Sequence, residues 1–147
     1  FRDLAFQMEV EFIKQNWHLF IALGLIVTLL ALDPLRRRST GVQQVSAVQL
    51  PQLMNHQGAI VVDVGQPAEF KKGHIPNAIN IPVNQLKNDI GRLEKHRTKK
   101  TPIVLSSRST QHSTRAATIL RKHEFTHLYT LSGGLTSWEK ENLPLER

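Results

Sequence analysis

The sequence predicts an α/β domain built around a mostly parallel sheet and preceded by one transmembrane helix. Three observations predict it. Residues 17–32 contain no Asp, Glu, Lys or Arg. Beyond residue 45, short apolar runs alternate with amphipathic stretches, and that alternation implies parallel strands joined by crossover helices. Two of the runs, Ala59–Val64 and Ile103–Ser106, are nearly continuous, as strands buried on both faces are. The chain has 147 residues, 40% hydrophobic and 21% charged, which suits one globular domain plus an appendage.

The apolar stretch reaches from Trp17 past Asp33-Pro34 to Leu35, 19 residues against the ~20 that a helix needs to cross a bilayer. A soluble core helix is rarely apolar on every face. A signal peptide would end in a small-residue cleavage site; here Arg36, Arg37 and Arg38 follow, a stop-transfer pattern. Trp17 and His18 are expected at one interface and the three arginines at the other, beside anionic headgroups. Before the span, Arg2 and Lys14 are offset by Asp3, Glu9 and Glu11, whereas the arginine cluster and a basic domain follow it. The positive-inside bias therefore places the C-terminal domain in the cytoplasm.

The elements follow in order. Residues 1–16 carry Phe1, Leu4, Ala5, Met8 and Phe12 along one helical face, an amphipathic segment that continues into the span or lies on the membrane surface. Residues 17–35 form the span, ended by Asp33-Pro34, and 36–44 a basic polar linker. The soluble domain occupies 45–147. Ser46-Ala-Val-Gln49 matches a capping box, predicting a helix from Ala47 to about Asn55. Strand Ala59–Val64 precedes a short helix Ala68–Lys72 closed by Gly73. Ala78–Ile81 reads as a short strand and 84–96 as a helix with Leu86, Ile90 and Leu93 on one stripe. Strand Ile103–Ser106 leads to a helix Ser113–His123, with Ala116, Ala117, Ile119 and Leu120 inward. Strand His127–Thr130 and helix Thr136–Asn142, with Trp138 packed inward, complete the chain.

Net charge is +7, which fits a domain held against anionic lipid or an acidic partner. No aromatic stacking face or DNA-reading motif accompanies the charge, so nucleic acid is not an expected partner. Lys95-His-Arg-Thr-Lys-Lys100 reads as a solvated connection before a strand. The absence of cysteine excludes disulfides and thiolate metal sites.

Two sets of residues then point to a family. The first is the strand ending in Asp63, followed by Glu69-Phe70 and by Gly73-His-Ile-Pro-Asn-Ala78. The second is Leu131-Ser-Gly-Gly134, Trp138 and Leu143-Pro-Leu145. Together they resemble the two signatures of rhodanese-like domains across roughly residues 45–147, and the whole chain is similar to small membrane-tethered bacterial rhodaneses. The resemblance implies a three-layer rhodanese-like fold and a bacterial inner-membrane location. It also implies a loop, 107–112, that in active members begins with a cysteine whose thiolate takes up a sulfane sulfur as a persulfide. Backbone N–H groups and a helix N-terminus lower that thiol's pKa.

Here the loop begins with Ser107. A serine oxygen forms no persulfide, and its hydroxyl is not appreciably ionised without a base. Thr110 replaces a frequent glycine, His112 stands where a basic residue often closes the loop, and Gly65 replaces the arginine usual after Asp-Val. The loop, Ser107, Arg108, Ser109, Thr110, Gln111 and His112 with Ser113, retains donors for weak anion binding at most. Asp63, Gly73, His74, Gly133, Gly134 and Trp138 are expected to be structural: His74 as a hydrogen-bonding residue, the glycine pair as a tight reversal.

Two decoys are set aside. His123-Glu-Phe-Thr-His127 matches the zinc-hydrolase pattern, which needs both histidines on one helix, but falls where a helix ends. A Ser107–His112 hydrolase lacks the Gly-x-Ser-x-Gly elbow and a third member. No catalytic residue, metal or cofactor is expected. The function the sequence favours is a membrane-anchored, catalytically inactive rhodanese-like protein acting as an accessory subunit of an integral-membrane protein or complex. The alternative is an active sulfurtransferase whose cysteine was changed to Ser107.

Overall fold

The computed structural model describes residues 1–39 and 41–147, with side chains described for 1–32 and 41–147. Two compact units result, Phe1–Ser39 and Thr40–Arg147. The first is one helix, α1 (Arg2–Ser39), interrupted at Asn16, whose backbone leaves helical geometry (φ −115°, ψ 17°). The Asn16 side chain donates to the Phe12 carbonyl at 2.9 Å, so a local amide competes with the helical ladder at the kink. The break falls between the 1–16 and 17–35 segments of the sequence. Phe6, Val10 and Ile13 lie off the Phe1–Phe12 stripe, so the first segment is apolar on more than one face. From Arg2 to Leu32 the helix is long and apolar enough to cross a membrane, with mean hydropathy 1.7 in its most apolar window and none of that window buried. That removes the core-helix reading: Leu23, Leu25, Ile26, Leu29 and Leu30 are all exposed. The Arg36, Arg37 and Arg38 side chains and Thr40, on which the headgroup contact rests, lie outside the described residues.

The second unit is a five-stranded, wholly parallel sheet in the order β1-β5-β4-β2-β3. Its strands are β1 (Val42–Val45), β2 (Ile60–Asp63), β3 (Ile79–Asn80), β4 (Ile103–Ser106) and β5 (Leu128–Leu131). The segment read as a linker, 36–44, is largely helix and strand. α1 runs on through Pro34 to Ser39, since a proline removes one N–H without forcing the helix to stop, and β1 takes Val42–Gln44. Its composition, Val-Gln-Gln-Val, hides it: an edge strand with exposed Gln43 and Gln44 shows no apolar run. Helices cover both faces. Ile103 and Leu105 of β4 point into a core with Val62, Ile81, Leu86, Leu93, Ala116, Leu120 and Leu128. Val104 points the other way, to Leu50, Val61, Ile75, Leu131, Leu135 and Trp138. This is the period-two consequence of a strand buried on both sides. Each such fully buried aliphatic contributes about 1.5–3 kcal/mol.

Helix α2 is assigned to Leu50–Gln57, later than the expected Ala47 start. The capping box nevertheless forms: Gln49 N donates to Ser46 Oγ (3.2 Å) and Ser46 N to Gln49 Oε1 (3.3 Å). The intervening turn is tight, with both Gln49 N and Leu50 N donating to Ser46 O. Helix α3 is Pro67–Lys72. Gly73, which closes it, is not left-handed; glycine fits there because a Cβ would meet Leu145 Cδ1 at 3.3 Å.

The helix expected over 84–96 is not continuous. Turns from Asn84 give way to a 3₁₀ turn, Ile90–Leu93, and a short α4, Glu94–Thr98. Leu86 and Leu93 are fully buried all the same. Asn84, Asn88, Asp89 and Gly91 are poor helix formers, so the apolar stripe is met by tighter turns. Helix α5 spans Thr110–Lys122, three residues earlier than expected, and α6 spans Gly134–Lys140.

Candidate functional site

In an open parallel sheet a ligand site forms at the strand C-termini, where connections leave neighbouring strands in opposite directions. Here that point lies between β2, which continues to edge strand β3, and β4, which continues to β5. Asp63 and Ser106 pair in register at its rim. The segment after β4 contributes Ser107 and the segment after β5 contributes Gly133 and Gly134.

Ser107 is 1% exposed. Its Oγ accepts the Ser109 N–H at 3.2 Å, a serine turn that occupies the hydroxyl in local structure. Its carbonyl accepts the Leu135 N–H at 3.2 Å. A Cβ on Gly134 would sit 2.4 Å from that carbonyl, and Gly134 has φ +61° beside Gly133 at +73°. Glycine at 134 is therefore required twice over, by the left-handed backbone and by its close approach to Ser107.

The loop is shorter than the six residues expected. Only Ser107, Arg108 and Ser109 precede α5; Thr110, Gln111 and His112 form its first turn, and Ser113 is buried one residue on. None of residues 107–113 has positive φ. A threonine resists the left-handed region and enters the helix instead. Arg108 does not reach into the loop's interior. It makes a two-pronged ion pair with Glu139 of α6, Nη2–Oε1 2.9 Å and Nη1–Oε2 3.3 Å. That hydrogen-bonded carboxylate, more than the nearby Glu69 and Asp63, raises the guanidinium's pKa still further.

Asp63 is buried, and burial pushes its carboxyl above the ordinary range, only partly opposed by the Gly65 N–H and the nearby His74 and Arg108. Gly65 N donates to Asp63 Oδ1 at 2.8 Å. A Cβ on Gly65 would meet Asp63 Oδ1 at 3.0 Å, Glu69 Oε2 at 3.1 Å and Ser107 Oγ at 3.7 Å. Arg108 is thus paired with Glu139 and also feels the negative charges of Glu69 and Asp63. Asn80 Nδ2 ties the β2 end together by donating to Asp63 O and Gly65 O, each at 3.1 Å.

The remaining signature residues hold the frame. His74 stacks on Phe70 with ring centroids 3.7 Å apart, its Nδ1 lies 2.9 Å from Phe70 O, and its Nε2 lies 3.6 Å from Glu146 Oε2. A two-bond bridge joins the His74 and Glu146 backbones. Glu146 Oε2 also accepts the Asn77 N–H at 3.1 Å. Trp138 is buried and donates from Nε1 to Pro144 O at 2.9 Å. The Arg108–Glu139 and His74–Glu146 contacts escape sequence reasoning because their partners are 31 and 72 residues apart in an otherwise ordinary polar background.

Neither decoy is assembled. Ser107 and His112 do not bond, and His112 Nδ1 is buried without a partner among the described residues, as is Ser106 Oγ. His123 caps the end of α5, Glu124 takes φ +66°, and His127 lies across the turn, bonded to Thr126. The single helix a zinc-binding H-E-x-x-H motif requires is absent there.

The rhodanese-like domain model matches residues 46–141. The protein YibN of Escherichia coli (strain K12) is 30% identical over 142 residues, 96% of this chain and 98% of YibN. A protein named sulfurtransferase from Allochromatium vinosum is 27% identical, covering 71% of this chain and 94% of its own. A rhodanese-related protein from Thermoplasma volcanium superposes with TM-score 0.62 at 26% identity over 71% of this chain and 97% of its own. With its parallel sheet, layered cores and matched signatures, this chain belongs to the rhodanese-like family.

Proposed function

We propose that the protein is a single-span membrane protein whose rhodanese-like domain is catalytically inactive and serves as an accessory, binding subunit of an integral-membrane protein or complex. It faces the cytoplasm from a bacterial inner membrane. The observation that carries this reading is Ser107: a buried serine at the position the resemblance assigns to the cysteine, in a chain with no cysteine anywhere. Sulfur transfer from thiosulfate needs a thiolate that attacks the sulfane sulfur, breaks the S–S bond and releases sulfite. Ser107 Oγ is engaged by the Ser109 N–H, and among the described residues no His, Asp or Glu side chain hydrogen-bonds to it. Arg108, the loop's own cation, is committed to Glu139. The likeness to YibN covers nearly the whole chain and so includes the apolar helix, which supports the anchor as part of the protein's role.

Thiosulfate:cyanide sulfurtransferase assays on the chain and on Ser107→Cys test this. No turnover by either is expected, because the loop has become the first turn of α5. Turnover by the unmodified chain would overturn the reading. Turnover by Ser107→Cys alone would favour a changed cysteine in an otherwise competent cradle.

A further inference from the structure

A wholly parallel sheet gives a domain two unlike ends. The loop of Ser107 lies at the strand C-termini. At the strand N-termini, four chain segments meet: Gly41 before β1, Pro102 before β4, α4, and the last turn of α5. Ile60 N donates to Pro102 O (3.0 Å) and Ile103 N to His127 O (2.9 Å). Arg97 Nη1 donates to His123 O at 3.2 Å, tying α4 to the end of α5. The Arg121 guanidinium lies 3.3 Å from where a Cβ on Gly41 would be.

This end carries Lys95, Lys99, Lys100, Arg121 and Lys122, all exposed. Among the described residues, no ion pair takes any of the five; the acids here, Glu94 and Glu124, both pair with Arg97. Burial first, and then the fields of Lys95 and Lys99, lower the pKa of His96. The C-terminal dipole of α5 accounts for Arg121 and Lys122. It does not account for Lys99 and Lys100, which follow a helix of five residues. Lys100 even takes φ +54°, where glycine would be less strained.

The same end receives the chain from the apolar helix. Five residues lie between Leu35 and Gly41, four of them still in α1, and even fully extended those six steps would reach at most about 20 Å. We infer that the strand-N-terminal end of the domain docks on the anionic lipid headgroups of the bilayer through Lys95, Lys99, Lys100, Arg121 and Lys122, leaving the Ser107 end turned away from the membrane. The inference rests on the membrane anchor proposed above. Tethering supplies the proximity and the five charges supply the attraction, which fades beyond about 8 Å in physiological salt.

The test uses the full chain reconstituted into phosphatidylcholine vesicles with or without phosphatidylglycerol. The absence of cysteine allows a single donor fluorophore at Thr98→Cys, on the basic end, or at Gln66→Cys, on the opposite end, with an acceptor on the lipid headgroup. Energy transfer from the Thr98→Cys label should rise with phosphatidylglycerol, exceed that from Gln66→Cys, and fall with added salt. Replacing Lys95, Lys99 and Lys100 by Gln should lower the docked-to-undocked ratio about fivefold per lysine. Alkaline extraction separates the two readings. A chain that resists extraction while its transfer ignores phosphatidylglycerol and the lysines keeps its anchor but overturns the docking, and leaves an acidic protein as the partner of that face. A chain released by alkali overturns the anchor and the docking with it.

Discussion

A carboxylate at the end of a buried strand is costly to ionise, and Asp63 is such a group. Its carboxyl is raised by burial, and Glu69 nearby adds to the effect. A carboxyl raised in the folded state binds protons more tightly there than when unfolded, so its contribution to stability falls as pH rises above its ordinary value of 3.8. Asp63→Asn should therefore raise the melting temperature at pH 7, with the gain shrinking below about pH 4, the ordinary range for aspartate. Calorimetry across that window checks it. A loss of stability at pH 7 would mean that attraction to His74 and Arg108 outweighs burial. Ser107, Gly134 and Gly65 belong to the same scale: a hydroxyl held by its own loop, and two glycines whose missing side chains let three segments converge. The residues were legible in the sequence. Their convergence was not, because Asp63 ends β2 while Ser107 and Gly134 follow β4 and β5, and only the sheet brings those three strand ends side by side.

The elements follow local chemistry where local chemistry is strong. The Ser46–Gln49 capping box forms in both directions although the helix proper begins at Leu50. Ser46→Ala should cost about 0.5–2 kcal/mol, the usual range for a lost N-cap, read from denaturant midpoints. An unchanged midpoint would show that Pro51 and the burial of Leu50 hold α2 by themselves. Where local preference is weak, the apolar stripe survives and the helix does not. Leu86 and Leu93 reach the core through turns and a 3₁₀ segment, since Asn84, Asn88, Asp89 and Gly91 do not sustain a regular helix. β1 shows the converse. Its Gln43 and Gln44 carry no pattern, and it exists because β5 offers it a ladder, Val42 to Leu128 through Val45 to Leu131.

At the scale of the whole molecule, an apolar helix and a parallel α/β domain are separate compact units joined through a basic stretch. An accessory subunit of a membrane complex should co-purify with an integral-membrane partner in stoichiometric amount when solubilised in mild detergent. Purification of the chain alone under those conditions, at native expression, would count against the accessory role. The charge of +7 acquires a direction from the fold, because strand polarity gathers five basic side chains, in no ion pair among the described residues, at the end where the chain enters.

By itself the sequence determined the apolar helix, the alternation that makes the parallel sheet, the two signatures and the absence of a thiol. These are properties of composition and short-range pattern, and hydrophobic periodicity registers them directly. The tertiary structure alone decided that Ser107 Oγ is occupied by Ser109, that Arg108 is spent on Glu139, that the loop closes into α5, and which end of the domain is basic. Each depends on contacts between segments distant in the chain, which no local pattern encodes.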